Sequence, residues 1–331
     1  MITNQSPIPY SLPPTPMLPA RVEPKIKFGY LGVPYDAATS IGNPGARFGP
    51  AALREQFRAL LAKRVVDGQV VDMDRGEMVD LSDVEVADFG DVALSFYDQH
   101  KAIDQVTAAT RAIIDAGHIP LIVGGDHGVT YPAFRALHDA TRGNLGLIQL
   151  DAHCDMLDFS EKQGAISGSS GMARSLELGR LLGKNMVQVG LRGYATSQQW
   201  GVGVKYGVRR ILAPEFEEMG AIEAAKQSLA WARAGTEKIY LTVDIDALNP
   251  GEAPGTGWAE PGGLTVQQLI DFTRYLAPHV DALDLAELNP LFDSASKQTT
   301  VMCARLLFDF VTMKARAANS VSRKPKSQRK K

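Results

Sequence analysis

The feature that most constrains this chain is a recurring pattern: short, continuously apolar runs, each followed by polar residues and most of them separated by helical stretches. The runs are Lys27–Gly32, Val84–Asp88, Ile119–Val123, Leu145–Leu150, Met186–Leu191, Val208–Leu212, Lys238–Val243 and Val280–Ala286. A strand with one wet face alternates apolar and polar residues, whereas a strand covered on both faces is apolar throughout. Between the runs, Asp98–Ala116 places Ile103, Val106, Thr110 and Ile113 on one helical face and stops at Gly117; Thr265–Leu276 and Ser294–Lys314 follow the same period. Buried strands joined by helices predict an α/β fold, with about eight strands in a mostly parallel sheet and helices on both faces.

No Pro/Gly/Ser linker or internal repeat interrupts this pattern, so a single domain is expected over residues 26–318. Residues 1–25 carry seven prolines and read as an extended arm rather than a helix or strand. Residues 319–331 read as a disordered basic tail, since six of the last nine residues are Lys or Arg. The formal net charge of -2 offers no basic face for nucleic acid. No apolar run reaches the roughly 18 residues of a membrane helix, and no secretory signal pattern opens the chain. Two cysteines, Cys154 and Cys303, make no disulfide framework. The expectation is a cytoplasmic protein with reduced thiols and neither a nucleic-acid nor a membrane partner.

In parallel sheets, sites form beyond the carboxyl ends of the strands, and here those ends collect acids and imidazoles. Leu121–Val123 leads into Gly124-Gly-Asp-His127, and Leu147–Leu150 into Asp151-Ala-His-Cys-Asp155. Ile239–Val243 leads into Asp244-Ile-Asp246, and Leu283–Ala286 into Glu287. In extended chain, residues i, i+2 and i+4 point to one side, so Asp151, His153 and Asp155 can converge, as can Asp244 and Asp246. Four carboxylates at one point repel one another unless cations neutralise them. Six ligands are too many for one tetrahedral zinc and suit two divalent ions about 3.5–4 Å apart. Oxygen and nitrogen donors without thiolate favour manganese-like or nickel-like ions.

These motifs, in this order and at similar spacing, resemble those of the ureohydrolase superfamily of arginases, agmatinases and guanidino-acid hydrolases. Flanking segments are similar to the agmatinase-like subgroup: Gly45-Ala-Arg-Phe-Gly-Pro-Ala-Ala-Leu-Arg54, Asp88-Phe-Gly-Asp91 and Ala253-Pro-Gly-Thr-Gly257 with Glu260-Pro-Gly-Gly-Leu-Thr265. The resemblance spans roughly residues 27–315 and implies the three-layer arginase-like fold. It implies one ion held by His127, Asp151, Asp155 and Asp244, and another by Asp151, His153, Asp244 and Asp246, with Mn2+ as the default and Ni2+ as the variant. It matches Glu287 to the carboxylate that pairs with the substrate guanidinium. A hydroxide between the two ions would then attack the guanidino carbon, with Asp155 passing its proton to the leaving amine and urea as the second product. The family also implies a homo- or hetero-oligomer, a trimer or hexamer.

Four departures fall on the substrate side. The stretch Ile166–Arg174 lacks the histidine that agmatinases and arginases carry there, and its Ser167 and Ser169 can bind substrate but cannot act as acid or base near pH 7. Trp258 stands where Thr is usual and reads either as a pocket wall or as loop packing; Asn249 stands for Asp, and Gly128 for Ser. The remaining histidines, His100, His118, His138 and His279, read as structural. The substrate therefore stays open between agmatine or another guanidino compound and guanidine or an N-alkyl guanidine or biguanide of the metformin type, taken by a nickel enzyme. A non-catalytic subunit of a hetero-oligomeric ureohydrolase is a further alternative. A zinc deacetylase of related topology would need a histidine pair as acid and base, which the chain lacks.

Overall fold

The computed structural model describes residues 14–37 and 42–322. Eleven strands form among them: β1 (Thr15–Leu18), β2 (Ile26–Val33), β3 (Gln69–Asp72), β4 (Glu77–Asp80), β5 (Val84–Asp91), β6 (Ile119–Gly124), β7 (Leu145–Leu150), β8 (Leu181–Leu191), β9 (Arg209–Leu212), β10 (Lys238–Asp244) and β11 (Ala282–Ala286). The helices are α1 (Gly49–Arg64), α2 (Gln99–Asp115), α3 (Thr130–Ala140), α4 (Gly171–Leu176), α5 (Ser197–Tyr206), α6 (Ala213–Met219), α7 (Ala221–Arg233), α8 (Val266–Leu276) and α9 (Gln298–Ser322). Nine strands make one sheet in the order β1-β5-β2-β6-β11-β10-β7-β8-β9, parallel except for β1.

The eight apolar runs are the eight parallel strands. Every residue of β7 and β11 is buried, as strands covered on both faces require. One face packs on α1 and α6–α9 through Leu53, Phe57, Phe216, Phe272 and Leu307; the other packs on α2–α4 through Val106, Ile113, Phe134 and Met172. The result is the three-layer α/β arrangement.

Three expectations need correction. Thr15–Leu18 is a strand, not an unpaired arm: it runs antiparallel to β5 at the sheet margin, where Pro16 costs the ladder little. The hairpin β3–β4 was invisible as pattern, because its four-residue strands end in acids and gain stability from Val70 and Val79 pressing into the core. The last helix starts four residues later than the periodicity indicates and runs to Ser322, so residues 319–322 belong to the helix and not to a tail. Residues 1–13 and 323–331 lie outside the described residues.

Candidate metal centre

Central neighbours in the sheet, β6, β11, β10 and β7, end side by side, and each delivers site residues at its carboxyl end. After β6 the chain turns through Gly125, where a Cβ would stand 1.6 Å from the Tyr35 carbonyl oxygen, so only glycine fits. That turn presents His127 at the start of a short 3-10 turn. Asp151–Asp155 follows β7, Asp244 closes β10 with Asp246 in the next turn, and Glu287 follows β11. Asp155 and Glu287 both sit in left-handed backbone, at φ 47° and 62°. Such strain in non-glycine residues needs surrounding structure to hold it; for Glu287 part of that hold is its N–H donating to the Gly125 carbonyl at 2.8 Å.

Three carboxylates divide their oxygens between backbone and cluster. Oδ1 of Asp151 accepts from the His153 N–H at 2.6 Å, Oδ1 of Asp244 from the Asp246 N–H at 2.8 Å, and Oδ1 of Asp246 from the Ala152 N–H at 3.0 Å. Their second oxygens turn inward. His127 Nδ1 then lies 3.0, 2.7 and 3.3 Å from Oδ2 of Asp151, Asp155 and Asp244. His153 Nδ1 lies 2.9 Å from Oδ2 of Asp246 and 3.6 Å from Asp151. Behind His127, Nε2 meets the Thr242 hydroxyl at 2.8 Å, which donates to Asp284 at 2.6 Å, and Tyr240 donates to the same carboxylate. This buried chain fixes the imidazole with Nδ1 toward the acids.

The electrostatics are those of a cluster short of positive charge. Burial, with Asp151 beside it, pushes Asp155 up to about 6. Burial and the neighbouring Asp246 and Asp151 drive Asp244 well above the carboxylate range. Burial opposes charge on the histidines, yet Asp151 and Asp155 hold His127 well above its ordinary value, and Asp246 with Asp151 pushes His153 up to about 12. His127 Nδ1 makes no aligned hydrogen bond although three carboxylate oxygens surround it. A donor set of this kind, with lone pairs converging on one point, fits divalent cations. Two overlapping groups could hold them: His127, Asp151, Asp155 and Asp244, and Asp151, His153 and Asp246, with ligand atoms within 4.8 Å of one another.

The site opens into a pocket of about 610 Å³. His127, His153, Asp155, Asp244, Asp246, Glu287, Ser169 and Trp258 line it, together with Glu161, Lys162, Gln163, Tyr194 and Gln199. Asp151 lies beneath, fully buried. Glu287 Oε1 accepts from the His127 N–H at 2.8 Å, while desolvation and the nearby Asp126 push its carboxyl up to about 8. Ser167 is turned away from the pocket: it caps the 168–170 turn and donates to Gln163 at 3.3 Å. Asn249 takes a turn role, its Oδ1 accepting from the Gly251 N–H at 2.8 Å. His118 pairs with Glu85, and His138 meets Arg180 and Asp139, both away from the cluster. The supporting groups Thr242, Asp284, Arg192 and Glu260 were missed. Thr242 and Asp284 left a signal, each as a polar residue within an otherwise apolar strand.

Fold and site together define an α/β protein with a buried centre built to hold divalent cations. The chain belongs to the arginase family, whose family model matches residues 26–312. It is 34% identical to the guanidinopropionase of Pseudomonas aeruginosa, over 91% of each chain. It is 32% identical to the mitochondrial guanidino acid hydrolase of Homo sapiens, over 89% of this chain and 80% of the relative. The proclavaminate amidino hydrolase structure from Streptomyces clavuligerus superposes with a TM-score of 0.77 at 29% identity, covering 94% of this chain and 100% of that one. Both cysteines are buried and free, and among the described residues no helix is long and apolar enough to cross a membrane.

Proposed function

We propose that this chain is a two-cation amidinohydrolase that splits a small guanidino compound into urea and an amine, with a short-chain guanidino acid as the preferred substrate and agmatine as the next choice. The observation that carries the reaction class is the gathering of six cation ligands, five of which line one pocket together with Glu287. The ions, when bound, supply a nucleophile from water at neutral pH and charge to stabilise a tetrahedral carbon. His127, Asp151, Asp155 and Asp244 hold one; Asp151, His153, Asp244 and Asp246 hold the other, with Mn2+ the default.

Glu287 binds and orients the guanidinium. Its carboxyl is raised by desolvation and Asp126, and an arriving cation restores the charged form. Asp155 takes the nucleophile's proton and returns it to the leaving nitrogen, a task for which its place in the cluster beside His127, lining the pocket, suits it. Ser169 and Trp258 contact the rest of the substrate. Lys162, which lines the pocket beside Glu161, is the only Lys or Arg among the described lining residues and is the cation available to a carboxylate tail. The exposed faces of Tyr194 and Trp258 favour a second reading, an N-alkyl guanidine or biguanide, as the nickel form would take. The assembly is inferred to be a trimer or hexamer.

A urea-release screen over guanidinopropionate, guanidinobutyrate, agmatine, arginine, guanidine and metformin, with Mn2+-loaded and Ni2+-loaded protein, tests this reading. Highest kcat/KM on a guanidino acid is expected. Preference for metformin or guanidine with Ni2+ would select the second reading, and no urea from any substrate with either ion would overturn both.

A further inference from the structure

The two histidines of the cluster are supported differently. His127 has the buried Thr242–Asp284 chain behind it. His153 has no hydrogen bond to its Nε2, although that atom is buried. The polar group facing it is the Glu260 carboxylate, whose Oε2 lies 3.9 Å away. Glu260 comes from a distant loop, and three features hold it there. The Trp258 indole N–H donates to the same Oε2 at 3.1 Å. Gly193 leaves room for it, since a Cβ there would stand 2.3 Å from Glu260 Oε1. Arg192 fixes the backbone: its guanidinium donates to the carbonyls of Glu260 and Pro261 on one side and of Asp246, Ala247 and Leu248 on the other, at 2.7–3.1 Å. One half-buried guanidinium therefore ties the Glu260 loop to the turn that carries Asp246.

We infer that Glu260 is a positioning residue for His153, accepting its Nε2–H when Nδ1 binds a cation, and that Trp258 holds Glu260 in place for this role. The inference rests on the two-cation reading and goes beyond it. With Nδ1 directed at Asp246 and Asp151, the ring can coordinate only in the tautomer that keeps the proton on Nε2. A carboxylate at Nε2 stabilises that tautomer and raises the basicity of Nδ1, and loss of such a partner costs about 10–100-fold in metal affinity. Trp258, half-exposed in the pocket wall, then couples the substrate side of the site to one cation and not to the other.

The test is Mn2+ titration of metal-free full-length protein, wild type against Glu260→Ala, Glu260→Gln and Trp258→Phe, read by competition with a chelating indicator and by the Mn2+ paramagnetic resonance spectrum. Wild type is expected to take two equivalents with a spin-coupled spectrum. Glu260→Ala should bind the first equivalent normally and the second about 10–100-fold more weakly, leaving an uncoupled spectrum at one equivalent. Glu260→Gln should fall between, because its amide oxygen still accepts without charge, and Trp258→Phe should weaken the same equivalent less. Two wild-type affinities in Glu260→Ala would overturn the inference while leaving the two-cation reading intact. Equal weakening of both equivalents with a lowered melting temperature of the metal-free protein would also overturn it, by showing a purely structural role. A wild-type chain that takes up fewer than two equivalents would overturn the two-cation reading and this inference with it.

Discussion

Asp244 and Glu287 end neighbouring strands, both are raised by burial and by nearby acids, and they should fail differently when substituted. Asp244 reaches His127 with one oxygen and the next turn with the other, so Asp244→Ala removes both a ligand and the lock on Asp246. Metal content should fall below one ion per chain and urea release should vanish; full activity in that variant would sink the two-cation reading. Glu287 reaches the His127 backbone rather than the ring, so Glu287→Gln should retain both ions. Its kcat/KM should drop by about 10²–10³-fold, the scale of losing one aligned electrostatic contact to the transition state. Unchanged kinetics would show that Glu287 does not bind the guanidinium. The cation ligands were legible as acids and imidazoles gathered at strand ends, although the extended i, i+2, i+4 path expected of them is replaced by a 3-10 turn at Asp246 and left-handed backbone at Asp155; Glu287 was reached through the family resemblance. The roles of Glu260 and Arg192 were not legible. Their partners are a ring nitrogen and backbone carbonyls more than 50 residues away, and nothing in local spacing encodes such contacts.

At the scale of elements, continuous apolarity identified all eight parallel strands, while the short strands β1, β3 and β4 escaped because their stability comes from neighbours rather than period. Helix α9 shows a related effect. It extends past the periodic segment and carries Lys314 inward, where Nζ lies 3.4 Å from the Pro278 carbonyl. Burial lowers this lysine to about 8, Asp281 opposing and Lys238 and Arg233 assisting. A lowered folded value means that the fold disfavours the ammonium. The penalty is fully present below pH 8, shrinks as pH rises toward the unfolded value of 10.5, and is gone above it. Lys314→Met keeps the aliphatic stem and removes the charge. It should stabilise the protein by about 1–3 kcal/mol at pH 7 and by nearly nothing at pH 10.5. Urea unfolding at both values measures this, and a gain that does not shrink with pH would show that packing, not charge, is responsible.

For the whole molecule, the cluster sits where the sheet is most buried, and its ligands come from three strands that a fourth, β11, interleaves. Without cations, four carboxylates and two histidines must share that volume by shifting their protonation, as the raised Asp155 and Asp244 indicate. Bound cations remove this conflict and connect β6, β10 and β7 at their carboxyl ends, so they should stabilise the entire sheet rather than a loop. Ions present at 100 times their dissociation constant add about 2.7 kcal/mol per site. For a domain larger than 250 residues, each kcal/mol moves the melting temperature by roughly 2–3 °C. Removing both ions by chelation should therefore lower the melting temperature by about 10–15 °C, as one cooperative transition, and stoichiometric Mn2+ should restore it. The effect should also depend on pH in one direction. Protons compete for carboxylates and imidazoles, so the difference between loaded and metal-free protein should narrow as pH falls from 7 toward 5. Scanning calorimetry at both pH values decides the matter: a chelated protein that melts at the loaded temperature, or a difference that widens in acid, would mean that the cluster does not hold ions in the native sheet.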